Sequence, residues 1–343
     1  MEDNNSWVAP ASQPGGVSAS DWKVIGGGDG FWVQASPLNP NILFSESQGG
    51  EMNRIDITTG LATGIRPKKQ AGEAEHRWNW NTPIVVAPSS AKSAAGKPVY
   101  NLYTGAQYLF RSRDEGRTWD RISPDVTTND SLKRQQTENS GGITGDNTSA
   151  ENHCTIFTIA QRPDNDQIIW VGTDDGHLQL TTNGGKTWSQ KEKGIYATGV
   201  PEHAWISSIT LSNHQKQRVF VTLDHHMYGD HKTYAVVSED GGNTWKRFVS
   251  DEFTGFAHIL LEDPVNPNLV FLGTEMGFFI SLDAGKSWMR SKYQNLPWYT
   301  PVRDLKINQV TNDLVLATHG RGIYIIDNLQ PLRDMAKADL NKD

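Results

Sequence analysis

An eight-residue pattern that ends in tryptophan recurs along this chain and restricts what the chain can fold into. The pattern is S/T-x-D/N-x-G-x-T/S-W, a polar turn closed by a large aromatic side chain. A fixed pattern that returns every roughly 40–70 residues indicates stacked supersecondary units rather than one irregular core. The copies are Ser112–Trp119, Thr181–Trp188, Ser238–Trp245 and Ser281–Trp288.

The segment around the second copy shows what one unit contains. Its apolar runs are short, and each is bounded by Gly, Pro, Asn or Asp, which is typical of strands joined by tight turns. Four strands in succession, with the repeated turn between the third and the fourth, predict one antiparallel blade of a β-propeller. The predicted strands are His153–Pro163, Gln167–Thr173, His177–Thr181 and Thr187–Lys191.

The same succession covers residues 1–332 and predicts an all-β fold, a single β-propeller of about six to seven four-stranded blades. Six blades are recognisable, and Ser6–Val8 with Trp22–Ile25 predict the last two strands of a partial N-terminal blade. Residues 333–343 are expected to form a polar C-terminal tail. The first strands of the other blades are Phe31–Pro37, Asn81–Ala87, Trp205–Leu211, Ala257–Glu262 and Val302–Asn308.

The two ends of the chain do not add up to a whole number of blades. Because an unclosed ring of sheets would expose strand edges, closure is expected from one of two sources. An N-terminal strand completes the last blade, or a partner chain does so through association or self-association.

Composition excludes several classes of protein. The net charge is 32 − 39 = −7 without a basic block, so no nucleic-acid partner is expected. No stretch approaches the roughly 20 apolar residues of a membrane span, so no membrane insertion is expected. The single cysteine, Cys154, lies in an apolar run, which favours a buried structural thiol over a nucleophile. The first residues lack the features of a signal peptide, so the chain itself predicts no localisation.

The tryptophan-ended turns resemble the Asp-box of bacterial neuraminidase (BNR) repeats. In proteins with that repeat the Asp or Asn caps the turn, the Gly takes a positive φ and the Trp packs between sheets, so a structural role is expected. Longer phrases resemble the bacterial sortilin-N-terminal-like propellers, often labelled glycosyl hydrolases. These phrases are Arg77–Pro83, Gly105–Trp119, Val171–Gly176, Gly273–Ser281 and Ala317–Asp327.

That resemblance extends over nearly the whole chain and carries expectations of its own. Members of the group are usually longer than this chain, which resembles their C-terminal half. They are usually exported, so the resemblance implies a periplasmic or extracellular location. The label of the group implies carbohydrate chemistry only weakly, because a fold does not by itself confer a function.

Strand connectivity predicts which end of the blades carries function. In a four-strand meander, the turns after the first and third strands lie at one end, together with the tryptophan-ended turns. The turns after the second and fourth strands lie at the other end, where acidic, His and Arg side chains are concentrated. The segments predicted at this second end are Gly26–Gly30, Gln48–Gly50, Thr173–Gly176, Asp224–Lys232, Thr274–Gly277 and Thr318–Gly322.

Carboxylates at this second end are the candidate catalytic residues. Asp29, Asp174, Asp175 and Glu275 could supply the acid and the base or nucleophile of a glycoside hydrolase, which needs two carboxyl groups roughly 5–9.5 Å apart. The alternative is structural, because Asp-Asp-Gly is also a favourable hairpin turn.

A second candidate set could hold a divalent cation, the one cofactor considered. Asp224, His226, Asp230 and His231 combine imidazoles with carboxylates in one loop. No regular spacing fixes these side chains as ligands, so the alternative is a solvated loop.

A third set consists of aromatic and cationic side chains near the starts of the first strands. Aromatic rings can stack on sugars, and arginine binds carboxylates through two parallel hydrogen bonds. Packing in the core or lining of a central channel is the alternative. The candidates are Trp32, Trp80, His153, Trp205, His258, Arg303, His319 and Arg321.

Two functions follow from these sets. The first is non-catalytic recognition of a glycan, peptide or protein partner at the end opposite the tryptophan-ended turns. The alternative is a glycoside hydrolase that acts on a polysaccharide through two of the four carboxylates.

Overall fold

A computed structural model describes residues 4–10, 16–134, 150, 152–250, 253–291 and 295–337. The chain divides into two compact units. Unit 1 consists of residues 1–175 and 179–189, and unit 2 consists of residues 176–178 and 190–343. The predicted all-β, β-propeller class is confirmed, because the described residues form successive antiparallel blades with little helix.

The strands follow the predicted succession. In the described residues, five sheets have four strands, one has three and one has two. Strands β1 to β14 are Ser6–Val8, Lys23–Gly26, Val33–Ala35, Ile42–Ser47, Glu51–Asp56, Leu61–Gly64, Ile84–Lys92, Pro98–Gly105, Leu109–Ser112, Asp120–Arg121, Ile156–Arg162, Asn165–Thr173, Leu178–Thr181 and Ser189–Gln190.

The remaining strands lie in unit 2. Strands β15 to β25 are Trp205–Leu211, Val219–His225, Asp230–Ser238, Lys246–Arg247, Ala257–Glu262, Val270–Thr274, Gly277–Ser281, Met289–Arg290, Val302–Asn308, Asp313–Thr318 and Ile323–Ile326. The α-helices are α1 (Ser131–Arg134), α2 (Lys193–Tyr196) and α3 (Gln330–Met335), and the 3-10 helices are Ala19–Asp21, Gln48–Gly50 and His226–Tyr228.

The two incomplete sheets lie near the ends of the chain. Strands β1 and β2 pair with each other, as expected for the last two strands of a blade. The last sheet has the order β23-β24-β25, without a fourth strand among the described residues. Which partner closes the propeller stays a prediction.

The tryptophan-ended turns are held by the same hydrogen bonds in both units. In Thr181–Trp188, the N–H of Gly185 donates to Thr181 Oγ1 (3.0 Å) and the N–H of Thr187 donates to Asn183 Oδ1 (2.9 Å). In Ser238–Trp245 the equivalent bonds are 2.7 Å and 2.9 Å long. The side-chain acceptors satisfy turn N–H groups that have no partner in a sheet.

The indoles of the two unit 1 turns bond to the preceding sheet. Trp188 Nε1 donates to the carbonyl of Ile122 (3.0 Å), and Trp119 Nε1 donates to that of Ile65 (2.7 Å). Each carbonyl belongs to the residue that follows the outer strand of the sheet before. Within unit 2, Trp245 Nε1 donates to the carbonyl of Lys191 (3.1 Å). The neighbouring blades of unit 1 are therefore joined by hydrogen bonds as well as by apolar packing.

The C-terminal helix is anchored by a buried ion pair. Arg333 is only 2% exposed. Its Nε and Nη2 atoms donate to both carboxylate oxygens of Asp263 at 2.9–3.1 Å. Its Nη1 donates to Asn312 Oδ1 (2.8 Å). The packed part of unit 2 thus includes the first residues of the predicted polar tail, and residues 338–343 of that tail lie outside the described residues.

Gly185 tests the close approach between a turn and the preceding sheet. A Cβ at Gly185 (φ 100°) would lie 2.3 Å from the carbonyl oxygen of Ile122, whereas one at Gly60 (φ 71°) would meet nothing within 4 Å. Both substitutions by alanine strain a left-handed backbone, at a cost of about 1 kcal/mol. We expect Gly185→Ala to lower the free energy of unfolding by roughly 1–3 kcal/mol more than Gly60→Ala, in urea titrations. Equal losses would show that the approach is not tight.

Candidate functional site

A β-bulge near the start of the first strand recurs in the three sheets of unit 2. The pairing skips one residue at Ser207 in β15, at His258 in β19 and at Arg303 in β23. A bulge bends the strand and turns the extra side chain in a new direction. Ser207 donates to the carbonyl of Ala257 (2.8 Å), so the starts of β15 and β19 lie at the same end of unit 2.

Two of these bulged residues meet a predicted carboxylate. His258 Nε2 lies 2.8 Å from Glu275 Oε2, and Arg303 Nη2 lies 3.4 Å from the same oxygen. We call His258, Glu275 and Arg303 the Glu275 cluster. The side chain of His258 is 8% exposed, that of Glu275 29% and that of Arg303 44%. The cluster therefore has a buried imidazole and an accessible guanidinium.

The electrostatics of the cluster fix its protonation. The hydrogen bond from His258 lowers the pKa of Glu275 most, and the positive charge of Arg303 lowers it further. Burial lowers the pKa of His258, although Glu275 opposes that shift. At neutral pH the carboxyl group is thus ionised, and the neutral imidazole donates its Nε2–H to it.

Aromatic packing extends the cluster toward the loop after β16. The ring of Phe256 stacks on that of His226 (4.4 Å between centroids) and meets that of His258 edge-on (5.0 Å). His226 Nδ1 lies 2.7 Å from Asp224 Oδ1. His258 of the predicted ligand-binding set and His226 of the predicted metal-binding set thus both contact Phe256.

The four predicted metal ligands do not form a metal site in the described residues, where no group of three or more such ligands could hold a cation. Asp224 is paired with His226. Asp230 accepts from the hydroxyl of Tyr234 (2.7 Å), and the ring of His231 packs at 6.2 Å from Phe256. The shared cation stays a prediction, and in this structure each of the two carboxylates has a partner of its own.

Two exposed aromatic residues beside the cluster were not among the sequence candidates. Trp298 and Tyr299 are 47% and 62% exposed and precede β23. The guanidinium carbon of Arg290 lies 4.8 Å from the centroid of each ring. Arg290 Nη2 also donates to the carbonyls of Trp298 (2.7 Å) and Met276, the residue after Glu275. We call Trp298 and Tyr299 the aromatic ledge.

The position of Trp298 and Tyr299 in the sequence is enough to predict the end of the blades at which they lie. A Trp-Tyr pair between two prolines, in the connection from a fourth strand to the next first strand, falls at the end predicted to carry function. The pair lies in a connection and not at a strand start, where the predicted aromatic candidates lie.

The other ligand-binding candidates of unit 2 are Trp205, His319 and Arg321. Trp205 opens β15 opposite Asp224. His319 and Arg321 are exposed in the turn after β24, and the N–H of His319 donates to the carbonyl of Pro301 (3.0 Å). The charge of His319 contributes to the low pKa of Glu275.

In unit 1, the adjacent carboxylates Asp174 and Asp175 are buried. Asp174 accepts hydrogen bonds from Asn79 Nδ2 (3.1 Å), Thr155 Oγ1 (2.5 Å) and the N–H of Thr155 (2.8 Å). Asp175 accepts from the N–H and the hydroxyl of Thr128 at 2.8 and 2.6 Å. The two side chains are 2% and 0% exposed, so no substrate reaches them in this arrangement.

Burial and hydrogen bonding shift the two pKa values in opposite directions. Burial, with the negative charge of Asp175, raises the pKa of Asp174 well above its ordinary value. The hydrogen bonds from Thr128 and Thr173 outweigh burial and lower the pKa of Asp175. At neutral pH the pair therefore carries one negative charge, which lies on Asp175.

Two neighbours of the pair are neutral as well. His153 Nδ1 lies 3.7 Å from Asp174 Oδ2, and burial lowers the pKa of His153. Cys154 is buried, as predicted, and burial raises the pKa of its thiol to about 12. Neither group supplies a charge or a nucleophile at neutral pH.

The remaining unit 1 candidates line the loops before the first strands. Asp29 is half-buried, and its N–H donates to Gln48 Oε1 (2.8 Å). Trp32 packs against a core that includes Phe44 and Trp78. Trp80 is half-buried and its carbonyl accepts from Gly49 (3.1 Å).

A cavity of about 420 Å³ opens beside the turn that contains Trp119, also in unit 1. Its lining includes cationic side chains, but most of them already have carboxylate partners. Arg66 binds Glu51 (2.6 Å) and Arg121 binds Glu73 (2.7 Å). An anionic ligand would have to displace these pairs, so the cavity does not rank with the Glu275 cluster.

Comparisons with known proteins show the fold alone. No protein-family model and no curated protein sequence matches the chain, so the sortilin-like family stays a prediction. An ancestral GH74 enzyme is similar at 16% identity over 71% of this chain and 30% of its own, with a TM-score of 0.49. The Niastella koreensis GH74 enzyme is similar at 14% identity over 90% of this chain and 46% of its own, with a TM-score of 0.56.

A third similar structure is the extracellular domain of a proposed one-component system from B. thetaiotaomicron. The identity is 13% over 87% of this chain and 33% of the other, with a TM-score of 0.53. This chain thus spans less than half the length of each of these three proteins. Separately, none of the helices in the described residues has the length and apolar character needed to cross a membrane.

The protonation state of Asp174 can be tested by measuring the free energy of unfolding of the protein at several pH values. Because its pKa is raised on folding, neutral Asp174 stabilises the protein fully below the unfolded pKa of about 4, and this contribution declines as pH rises toward the folded value. Asn cannot ionise, so the free energy of unfolding of Asp174→Asn should rise relative to wild type between about pH 4 and 7, by up to ~1.4 kcal/mol per pH unit.

The control is Asp174→Ala, which leaves the buried donors of Asn79 and Thr155 without an acceptor. It should destabilise by roughly 1–3 kcal/mol for each group left unsatisfied. A constant difference between Asp174→Asn and wild type over this pH range would mean that Asp174 is ionised in the folded protein.

Proposed function

We propose that the chain is a non-catalytic recognition protein that binds a glycan through the Glu275 cluster and the aromatic ledge of unit 2. The observation that carries this proposal is the direct link between an accessible ion pair and two exposed aromatic rings. Arg290 makes the link, because it donates to the carbonyl of Met276 while its guanidinium lies over Trp298 and Tyr299.

The ledge suits a ligand with a flat apolar face. Exposed indole and phenol rings offer large areas with few rotatable bonds, so little conformational entropy is lost when a ligand stacks on them. Arg290 restricts both rings before any ligand arrives, which lowers that cost further. Pyranose rings have such apolar faces, bordered by hydroxyl groups that need hydrogen-bond partners.

The Glu275 cluster supplies those partners. The side chain of Arg303 is 44% exposed, and only its Nη2 atom forms the ion pair with Glu275. The remaining guanidinium donors can bind sugar hydroxyls or a ligand carboxylate. The second oxygen of Glu275 can accept from a hydroxyl. The cluster therefore offers donors and an acceptor beside the stacking surface.

The state of Glu275 favours recognition over hydrolysis. A general acid in a glycoside hydrolase needs a carboxyl group whose pKa is raised so that it holds a proton at the working pH. The pKa of Glu275 is lowered instead, by His258 and Arg303. Glu275 is thus ionised at neutral pH, whereas a general acid must hold a proton there.

A glycoside hydrolase is the second candidate, supported by the opposed pKa shifts of Asp174 and Asp175. Against it, both side chains are buried and hydrogen-bonded. The GH74 enzymes share the fold at 14–16% identity, which does not transfer their activity. Hydrolysis by this pair would require the loop that holds Thr128 to move away.

Binding should depend on the ledge. We expect Trp298→Ala and Tyr299→Ala to weaken the affinity for a bound oligosaccharide by about 10- to 100-fold, since a stacked ring contributes roughly 1–3 kcal/mol. The measurement is calorimetric titration with neutral and acidic oligosaccharides found by array screening. Leu61→Ala, which truncates a residue that is 65% exposed in unit 1, should leave the affinity unchanged. An unchanged affinity of Trp298→Ala and Tyr299→Ala would contradict the proposal.

The two functions separate in a turnover assay. Wild type, Asp29→Asn and Asp174→Asn would be incubated with xyloglucan, β-glucans and sialosides, and released reducing ends would be measured. We expect no turnover by any of the three proteins on a substrate that binds. Turnover by wild type that Asp174→Asn abolishes would establish the hydrolase instead.

A further inference from the structure

The outer strand of the last sheet has a free edge in the described part of the chain. Strand β25 pairs with β24 alone, whereas the other two sheets of unit 2 each end in a short fourth strand. A free edge presents unpaired N–H and C=O groups and is a template for another strand. From this edge we propose that β25 pairs antiparallel with β25 of a second copy of the chain.

The backbone directions at this edge can be assigned. The N–H of Thr318 donates to the carbonyl of Gly322 (3.3 Å), so the pair 318–322 is hydrogen-bonded toward β24. Bonding direction alternates along a strand, so the groups of Tyr324 and Ile326 also face β24. The N–H and C=O groups of Ile323 and Ile325 therefore face the free edge.

Side-chain exposure follows the same alternation. Ile323 and Ile325 are 46% and 41% exposed, while Tyr324 and Ile326 pack against the core of unit 2. Two exposed β-branched residues on an edge strand are an association hazard that proteins usually reduce with charges or a bulge. Here they form an apolar stripe bordered by one charge at each end, Arg321 and Asp327.

The stripe is complementary to itself in one register. If Tyr324 lies opposite its own copy, Ile323 of each chain faces Ile325 of the other, and the edge-facing groups of both residues pair. The same register sets Arg321 opposite Asp327 at both ends. Opposite charges across two strands stabilise their pairing, and like charges oppose it. Both charged residues are exposed, and neither forms an ion pair with another described residue.

The proposal commits to a two-fold dimer in which two three-stranded sheets form one six-stranded sheet. Such an interface is isologous, because the same patch is used by both copies. It is also small, so the dimer should be weak and should form in the micromolar range or above.

Charge reversal tests the register. Sedimentation velocity over a concentration series should show a monomer–dimer equilibrium for wild type. Arg321→Asp and Asp327→Arg, each alone, place two like-charge pairs in the interface and should weaken dimerisation by about tenfold or more. The double variant restores opposite charges and should recover the wild-type equilibrium. Lys306→Glu, on the opposite edge strand of the same sheet, controls for the change in net charge and should have no effect.

Hydrogen exchange gives an independent readout on wild type. The amides of Ile323 and Ile325 should become protected as the protein concentration rises through the dimer range, while their exchange in the monomer stays fast. The proposal is overturned by a protein that stays monomeric at high concentration, or by a double variant that does not recover. Protection of both amides in the monomer would also overturn it, because another segment would then cover the edge.

Discussion

The contact of a turn tryptophan with the residue that follows an outer strand is the interaction on which the packing of successive blades depends. In three of the four turns this contact is a hydrogen bond, and its acceptor is the carbonyl of Ile65, Ile122 or Lys191. The last turn departs from this rule, because Trp288 Nε1 has no partner among the described residues. There Trp288 packs edge-on against Phe248, the residue after β18, so apolar contact replaces the bond at the same place.

Much of the fold was predictable because strands in a propeller are short and separated by turn residues. Val302–Asn308 and Trp205–Leu211 were predicted with the bounds that β23 and β15 have in the structure. The bulges at His258 and Arg303 were not predictable, because a bulge depends on the register between two strands and neither strand marks it in its own composition. Yet these bulges bring both side chains to Glu275.

The candidate carboxylates show where sequence reasoning stops. Asp174 and Asp175 have the residue pattern of an exposed hairpin turn, but their hydrogen-bond partners Asn79 and Thr128 are 95 and 47 residues away in the chain. Burial and such distant partners decide whether a carboxylate is a catalyst or a structural group, and neither is local information. Glu275 was a candidate with the same local signal, and it differs from the buried pair in its accessibility and in its partners, His258 and Arg303.

The free edge of β25 has a physical cause in how the repeat ends. After β25 the chain does not make another tryptophan-ended turn, and helix α3 takes the place of a fourth strand in the sequence. The helix is held by Arg333, whose guanidinium is buried against Asp263. A buried ion pair recovers little more than its desolvation cost, so its main effect is to specify one position for the helix. With the helix fixed there, Gln330–Met335 cannot form a fourth strand beside β25, and the exposed isoleucines have no strand beyond them among the described residues.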